Sequence, residues 1–243
     1  MRLTTEEMTA WATQLYGRFG QKVNWSKVSR DADFVPVTFN VQRTRNQVDP
    51  QVIINIARKY GLNPLDELAQ IPRWEHLRTT PSRPSQQEIA TSLHPAYVLQ
   101  ELVDRLLERA PDYPDFGSWE GYYGSFSTWV DIAGSEIARE RLRAALNLGS
   151  KTALSAKLNS RSRFAVDEAI DGFTAAGMDP VFALVLASLI TAEEAGYSAT
   201  VRQDALLSIS NEDLLYLSQR QVRYTSRILA EHQLSEDHLQ TLG

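Results

Sequence analysis

The strongest constraint on this chain is how its apolar residues alternate with turn-forming residues between Val28 and Leu68. VSRDADFVPVTFNVQRTRN, residues 28–46, leads into DPQVIINIARKYGLNPLDEL, residues 49–68. No apolar stretch here lasts long enough for one extended helix, and the punctuation falls at helical spacing. The pattern predicts a short helix, a tight turn, a second helix with a polar outer face, and an amphipathic closing helix.

Residue by residue, Asn24 or Ser26 opens the first of these helices, with Trp25, Val28 and Ala32 facing inward, and the chain turns at Asp33–Phe34. Pro36 suits the first turn of a helix, where its missing N–H is not needed. That helix is predicted over about 36–45, anchored by Phe39. Asp49 and Pro50 open the next, whose buried stripe is Val52, Ile53, Ile56, Ala57 and Tyr60, and Gly61 ends it in the left-handed conformation helices commonly use there. Asn63–Pro64 starts a last short helix that ends before Pro72. Upstream, a core helix is predicted from Thr4 or Thr5 to about Phe19, with Thr4 and Glu7 as a capping box.

The predicted helix from Pro36 buries little. Its outer face, Pro36, Val37, Thr38, Asn40, Val41, Arg43 and Arg45 with Asn46 beyond, has the groups that read base edges: amide for adenine, guanidinium for guanine, aliphatic carbons for the thymine methyl. Thr44, Arg45 and Asn46 run out toward where phosphates would lie.

Charge supports this placement. The net charge of −5 hides two local excesses of positive charge. Residues 1–80 carry 11 basic and 8 acidic groups, and residues 137–166 carry seven basic residues against Glu140 alone. Acidic stretches separate the two, as expected where two local surfaces meet phosphate.

The second cluster lies in ARERLRAALNLGSKTALSAKLNSRSR, residues 138–163, which with residues 165–184 repeats the order of elements of the first unit. Gly61-Leu62-Asn63-Pro64 answers Gly177-Met178-Asp179-Pro180 at a spacing of 116, although that offset sets Thr38 against Leu154, a mismatch. A second reading face is predicted from Ser150, Lys151, Thr152, Ser155, Lys157 and Asn159, with Leu154 and Leu158 inward. Arg139, Arg141, Arg143, Arg161 and Arg163 flank it as phosphate contacts.

The segment from Met8 to Leu68 resembles the lambda-repressor-like (Cro/C1, or Xre) helix-turn-helix family, notably in VSRDADFVPVTF and IARKYGLNPLDEL. It departs from the family pattern at Asp33 (usually glycine), Ser29 (usually alanine) and Gln42 (usually apolar). The tandem arrangement is similar to that of immunity repressors of actinobacterial phages. The resemblance implies an operator-binding regulator acting on double-stranded DNA.

Between the units, Pro72 to Ser85 has a linker composition. Ser85 and Glu88 form a second capping box, and an amphipathic spacer helix restarts at Pro95 and runs to about Ala110, striped by Val98, Leu99, Leu102, Val103, Leu106 and Leu107. The aromatic- and glycine-rich segment 112–130 is read as a plug joining this helix to the next domain. Val181 to Ala192 is read as a buried helix, too short to span a bilayer. The helix predicted over about 211–232 either packs on the second domain or pairs with another subunit, which would give a homodimer.

The motifs of catalysis are missing. His76, His94, His232 and His238 are scattered, Glu193–Glu194 and Glu212–Asp213 read as helix-end charges, and no phosphate loop, nucleophile elbow or zinc signature occurs. Without cysteine there is no disulfide framework, and the first residues show no signal-peptide pattern.

The expectation is therefore an all-α chain with two helix-turn-helix DNA-binding domains: 1–72, then a linker, spacer helix and connector over 73–130, then 131–243 with the second unit. It is expected to be cytoplasmic, without catalytic activity, metal, cofactor or membrane partner. The alternative keeps only the N-terminal reader and makes the C-terminal half a helical oligomerisation or partner-binding domain, as in an antitoxin.

Overall fold

The computed structural model describes residues 2–79, 84–110, 125–132, 136–159, 164–222 and 226. The fold is all-α: among the described residues every regular element is helical, and a single antiparallel bridge joins Leu3 to Val48.

The N-terminal unit runs α1 (Thr5–Arg18), α2 (Trp25–Asp31), α3 (Pro36–Thr44), α4 (Gln51–Lys59) and α5 (Pro64–Leu68). Local chemistry places each boundary. Thr4 and Glu7 close the capping box on α1, Asn24 caps α2, Pro36 is the first residue of α3, and Asn63 caps α5 ahead of Pro64. Met8, Trp11, Leu15, Tyr16, Val28, Phe39, Ile53 and Ile56 form the core of the unit.

Next come α6 (His76–Thr79), α7 (Gln86–Ala90) and α8 (Pro95–Leu106). The stretch expected to act as a linker is partly docked. Pro72–Trp74 make a 3-10 turn, Trp74 is fully buried, and its Nε1–H donates to Asp171 Oδ1 at 2.8 Å. The expected stripe of α8 is also corrected. Val103, Leu106 and Leu107 are exposed, and the buried face is Pro95, Val98, Glu101 and Asp104. The cause is Arg105, which pairs with Glu101 and spreads its guanidinium over the carbonyls of Leu206, Leu207 and Ile209. A buried carboxylate is tolerated where such a partner lies alongside.

The second unit runs α9 (Ser125–Ile132), α10 (Glu136–Ala145), α11 (Lys151–Asn159), a helix whose first turns are the π-type segment Glu168–Gly172 continuing as α12 (Phe173–Ala176), and α13 (Pro180–Leu186). The helix expected through Ala192 stops at Leu186, with Ser188 at positive φ, though burial continues through Ile190. Phe126, Trp129, Phe164 and Phe173 stack at centroid distances of 4.6–6.2 Å, so the described end of the aromatic segment is core. Residues 112–124 of it lie outside the described residues.

Both units contribute to one hydrophobic core, from Leu3 and Ile53 to Phe173 and Phe182. A smaller cluster joins α7 and α8 to α14 (Val201–Ser208) and to α15, residues 211–222, through Ala90, Leu93, Val98, Leu206, Leu214 and Leu217. The described part of the C-terminal helix thus packs on its own chain. Each fully buried leucine-sized side chain here contributes about 1.5–3 kcal/mol.

The two units match in order and in turn chemistry, at an offset that drifts. Leu15, Tyr16, Val28 and Asp33 correspond to Trp129, Val130, Leu142 and Asn147, a separation of 114. Unit two then has one more residue before its next helix, so the buried anchors Phe39 and Leu154 stand 115 apart. The π-type turn inserts another within the following helix, and Gly61 and Gly177 stand 116 apart, both at positive φ. This drift explains the mismatch at a constant 116: Leu154 is the partner of Phe39, not of Thr38.

Candidate nucleic-acid interface

Each unit holds a short helix, a tight turn and a second helix with a polar face, and the turns are built alike. Asp33 takes φ 56°, and the Phe34 N–H donates to Ser29 O at 2.9 Å. Asn147 takes φ 52°, and the Leu148 N–H donates to Arg143 O at 3.0 Å. A six-to-one bond closing over a left-handed residue ends a helix abruptly, and Asp and Asn tolerate that conformation better than other non-glycine residues. The Asp33 departure from glycine is accommodated in this way.

In the first unit, Pro36, Val37, Thr38, Asn40, Val41 and Arg45 are exposed on α3 or just past it, and only Phe39 of that helix is buried. Two predicted residues have structural tasks. The Arg43 guanidinium lies 3.9 Å from the Trp25 ring centroid, half-buried, and burial holds its pKa below the usual arginine value. Asn46 Oδ1 accepts the Thr5 N–H at 2.6 Å, and Thr5 Oγ1 donates to Arg43 O at 2.7 Å, so the end of α3 is tied to the start of α1. Gln42 is explained too: its Oε1 accepts the Asp49 N–H at 3.1 Å.

Behind α2, Asp31 accepts hydrogen bonds from Tyr16 at 2.8 Å, Tyr60 at 2.9 Å and Lys59 at 2.7 Å. Burial alone would push its carboxyl up; the three donors outweigh that and hold it below the usual carboxylate range. Burial and the neighbouring Asp31 together push the Tyr16 hydroxyl well above the ordinary tyrosine value. This network, which sequence spacing did not reveal, fixes the helix that α3 leans on.

In the second unit, Ser150, Lys151 and Thr152 are exposed at the start of α11, and Ser150 Oγ accepts the Ala153 N–H at 3.1 Å. Ser155 is half-buried. Leu154 and Leu158 face inward as expected. Lys157 points to the side, bonded to both Glu168 carboxylate oxygens at 2.9 Å. Arg139 pairs with Asp131, and Arg143 with Glu140 and Leu148 O, while Arg141 is exposed. Asn159 is the last residue of α11, and Arg161 and Arg163 lie outside the described residues.

The units are fastened to each other. Arg58 donates to both carboxylate oxygens of Glu194 at 2.7 Å and to Leu189 O at 3.0 Å, and Asn63 Nδ2 donates to Glu194 O at 2.9 Å. Glu194 is therefore a clamp residue and not the bare helix-end charge its sequence position suggested. A polar cleft of about 570 Å³ lies beside this clamp, between Arg2, Asp49 and Gln51 on one side and Lys157, Phe164 and Glu168 on the other. Its cations are already paired, Arg2 with Asp49 and Lys157 with Glu168.

Comparison with protein-family models, with curated proteins and with solved structures finds no match for this chain. Among the described residues no helix is long and apolar enough to cross a membrane, and no three His, Asp or Glu side chains group so as to hold a metal ion.

Proposed function

We propose that the chain is a sequence-specific DNA-binding regulator of transcription, reading operator DNA through two helix-turn-helix units and acting as a repressor by occupying the site. The observation that carries this reading is the pairing, in each unit, of a left-handed turn residue, Asp33 or Asn147, with a following helix that leaves Thr38 and Asn40, or Lys151 and Thr152, exposed. The two regions of excess positive charge coincide with these turns. In this reading Thr38, Asn40 and Arg45 face base edges and phosphates in one half-site, and Lys151 and Thr152 do so in the other. Because the faces differ in sequence, the paired site is asymmetric.

A second reading keeps α3 as the only reader. The internal pairing of Lys157, Arg139 and Arg143 favours it, since those cations are already engaged. Paired variants of the full chain discriminate. Loss of DNA affinity in both Thr38→Ala/Asn40→Ala and Lys151→Ala/Thr152→Ala supports two readers; loss in the first pair alone leaves the second half as a helical interaction domain. No DNA affinity in the parent chain overturns both.

A further inference from the structure

The exposed face of α3 is more apolar than its polar residues suggest. Val35, the residue capping α3, is 64% exposed, Val37 is 71% and Val41 is 42%, with Pro36 exposed between them. Val37 and Val41 stand one turn apart on the same helical face. One guanidinium of α3 is drawn off the outer face: Arg43 lies over the ring of Trp25, the aromatic that also contacts Phe39. What this helix offers a partner is Val37 and Val41 on one face, Val35 exposed at its start, and Thr38 and Asn40 exposed along it.

Resting on the DNA-binding reading, we infer that this head reads 5-methylpyrimidines: Val35, Val37 and Val41 seat the C5 methyl groups of thymines in the major groove, and Asn40 pairs with an adjacent adenine. Val35, which sequence periodicity passed over because it precedes the helix, becomes a specificity-determining residue. The choice of DNA over an apolar protein partner rests on charge. Residues 22–46 carry five basic side chains against Asp31, which is buried and paired, and Asp33; α3 itself has no acidic residue. A polyanion fits that surround, and the thymine methyl is the apolar group a major groove displays.

The chemistry has a direct consequence. Cytosine lacks the C5 methyl and 5-methylcytosine has it, so the same valines gain contact with methylated cytosine. Burying one methyl group changes affinity about fourfold.

The test uses the full chain and synthetic duplexes carrying its selected site, with each thymine replaced in turn by deoxyuridine, which lacks only the methyl. The expected result is a loss of about fourfold at two or three clustered thymines. The loss at a given position disappears in whichever of Val35→Ala, Val37→Ala or Val41→Ala removes its partner, and 5-methylcytosine placed at a seated thymine binds better than cytosine there. Tight binding to the selected site with no cost from deoxyuridine overturns the inference and leaves the DNA-binding reading intact. Deoxyuridine costs that the valine variants leave unchanged also overturn it. If no duplex is bound, both readings fall. If the valine variants change the sedimentation of the protein and not its DNA affinity, the inference is overturned and the face belongs to a second copy of the chain.

Discussion

Arg58 and Glu194, 136 residues apart in the chain, meet in a two-pronged ion pair with both N···O distances at 2.7 Å, and the same guanidinium also reaches Leu189 O. The geometry is the fork-on-carboxylate arrangement that fixes orientation as well as attraction. The hydrogen bonds that Arg58 donates to Glu194 hold the Arg58 pKa up. Burial pushes the Glu194 carboxyl up, but Arg58 and Thr191 outweigh it and hold the carboxyl below the usual range. Because Arg58 lies in the last turn of α4 and Glu194 follows α13, this pair ties the two units together beside their shared core.

Arg58→Ala therefore separates stability from spacing. The pair is partly exposed, so its loss costs only about 1 kcal/mol in a denaturant titration. Its larger effect is on geometry. The parent chain discriminates sharply against a binding site lengthened by one base pair between half-sites, and the variant discriminates less. Equal discrimination by both proteins in competition binding contradicts this role.

The Asp31 network makes a pH prediction whose sign comes from its depressed carboxyl. A folded-state pKa below the unfolded value, about 3.9 for aspartate, contributes stability that is complete above that value and is lost as the pH falls toward the folded pKa. Chemical denaturation of the parent chain should show this loss only below about pH 4. Asp31→Asn removes the charge that Lys59, Tyr16 and Tyr60 face, costs about 1–3 kcal/mol at neutral pH, and flattens the acid limb.

Asn46 distinguishes a structural residue from a reading one. Asn46→Ala removes the cap on the Thr5 N–H and places alanine at φ 56°, where L side chains are disfavoured. The expected cost is about 1–3 kcal/mol in thermal or denaturant unfolding. Affinity of the folded protein for DNA stays near the parent value, whereas Asn40→Ala does the opposite. A DNA-affinity loss for Asn46→Ala equal to that of Asn40→Ala would return Asn46 to the interface.

Salt dependence tests whether both basic regions engage. With roughly 6 to 10 phosphate contacts, affinity falls about 10³ to 10⁵-fold between 50 and 200 mM salt. Lys151→Ala lowers the slope of log affinity against log salt by about one. An unchanged slope places α11 away from the backbone.

What was legible in the sequence was local. Caps and turns depend on residues a few positions apart, so Thr4, Asn24, Pro36, Gly61 and Asn63 marked their boundaries correctly. The pairings that join distant segments were not legible. Nothing near Glu194 announces Arg58, and nothing in the stripe of α8 tells that Arg105 would make the Glu101 face the buried one. The repeat was visible in its last turn but blurred upstream, because the extra residue before α11 and the π-type turn each shift the register by one. At the candidate interface, the exposed positions of α3 were foreseen, while the withdrawal of Arg43 onto Trp25 and of Asn46 onto α1 depended on contacts made in space.

The central claim is tested most directly by selecting bound duplexes from a random DNA library with the full chain at near-physiological salt. The full chain is the right reagent because the two units share one core and the Arg58–Glu194 pair. The account predicts a long asymmetric site with two dissimilar half-sites, one degraded by Thr38→Ala/Asn40→Ala and the other by Lys151→Ala/Thr152→Ala. A library that emerges with no enriched sequence would contradict it.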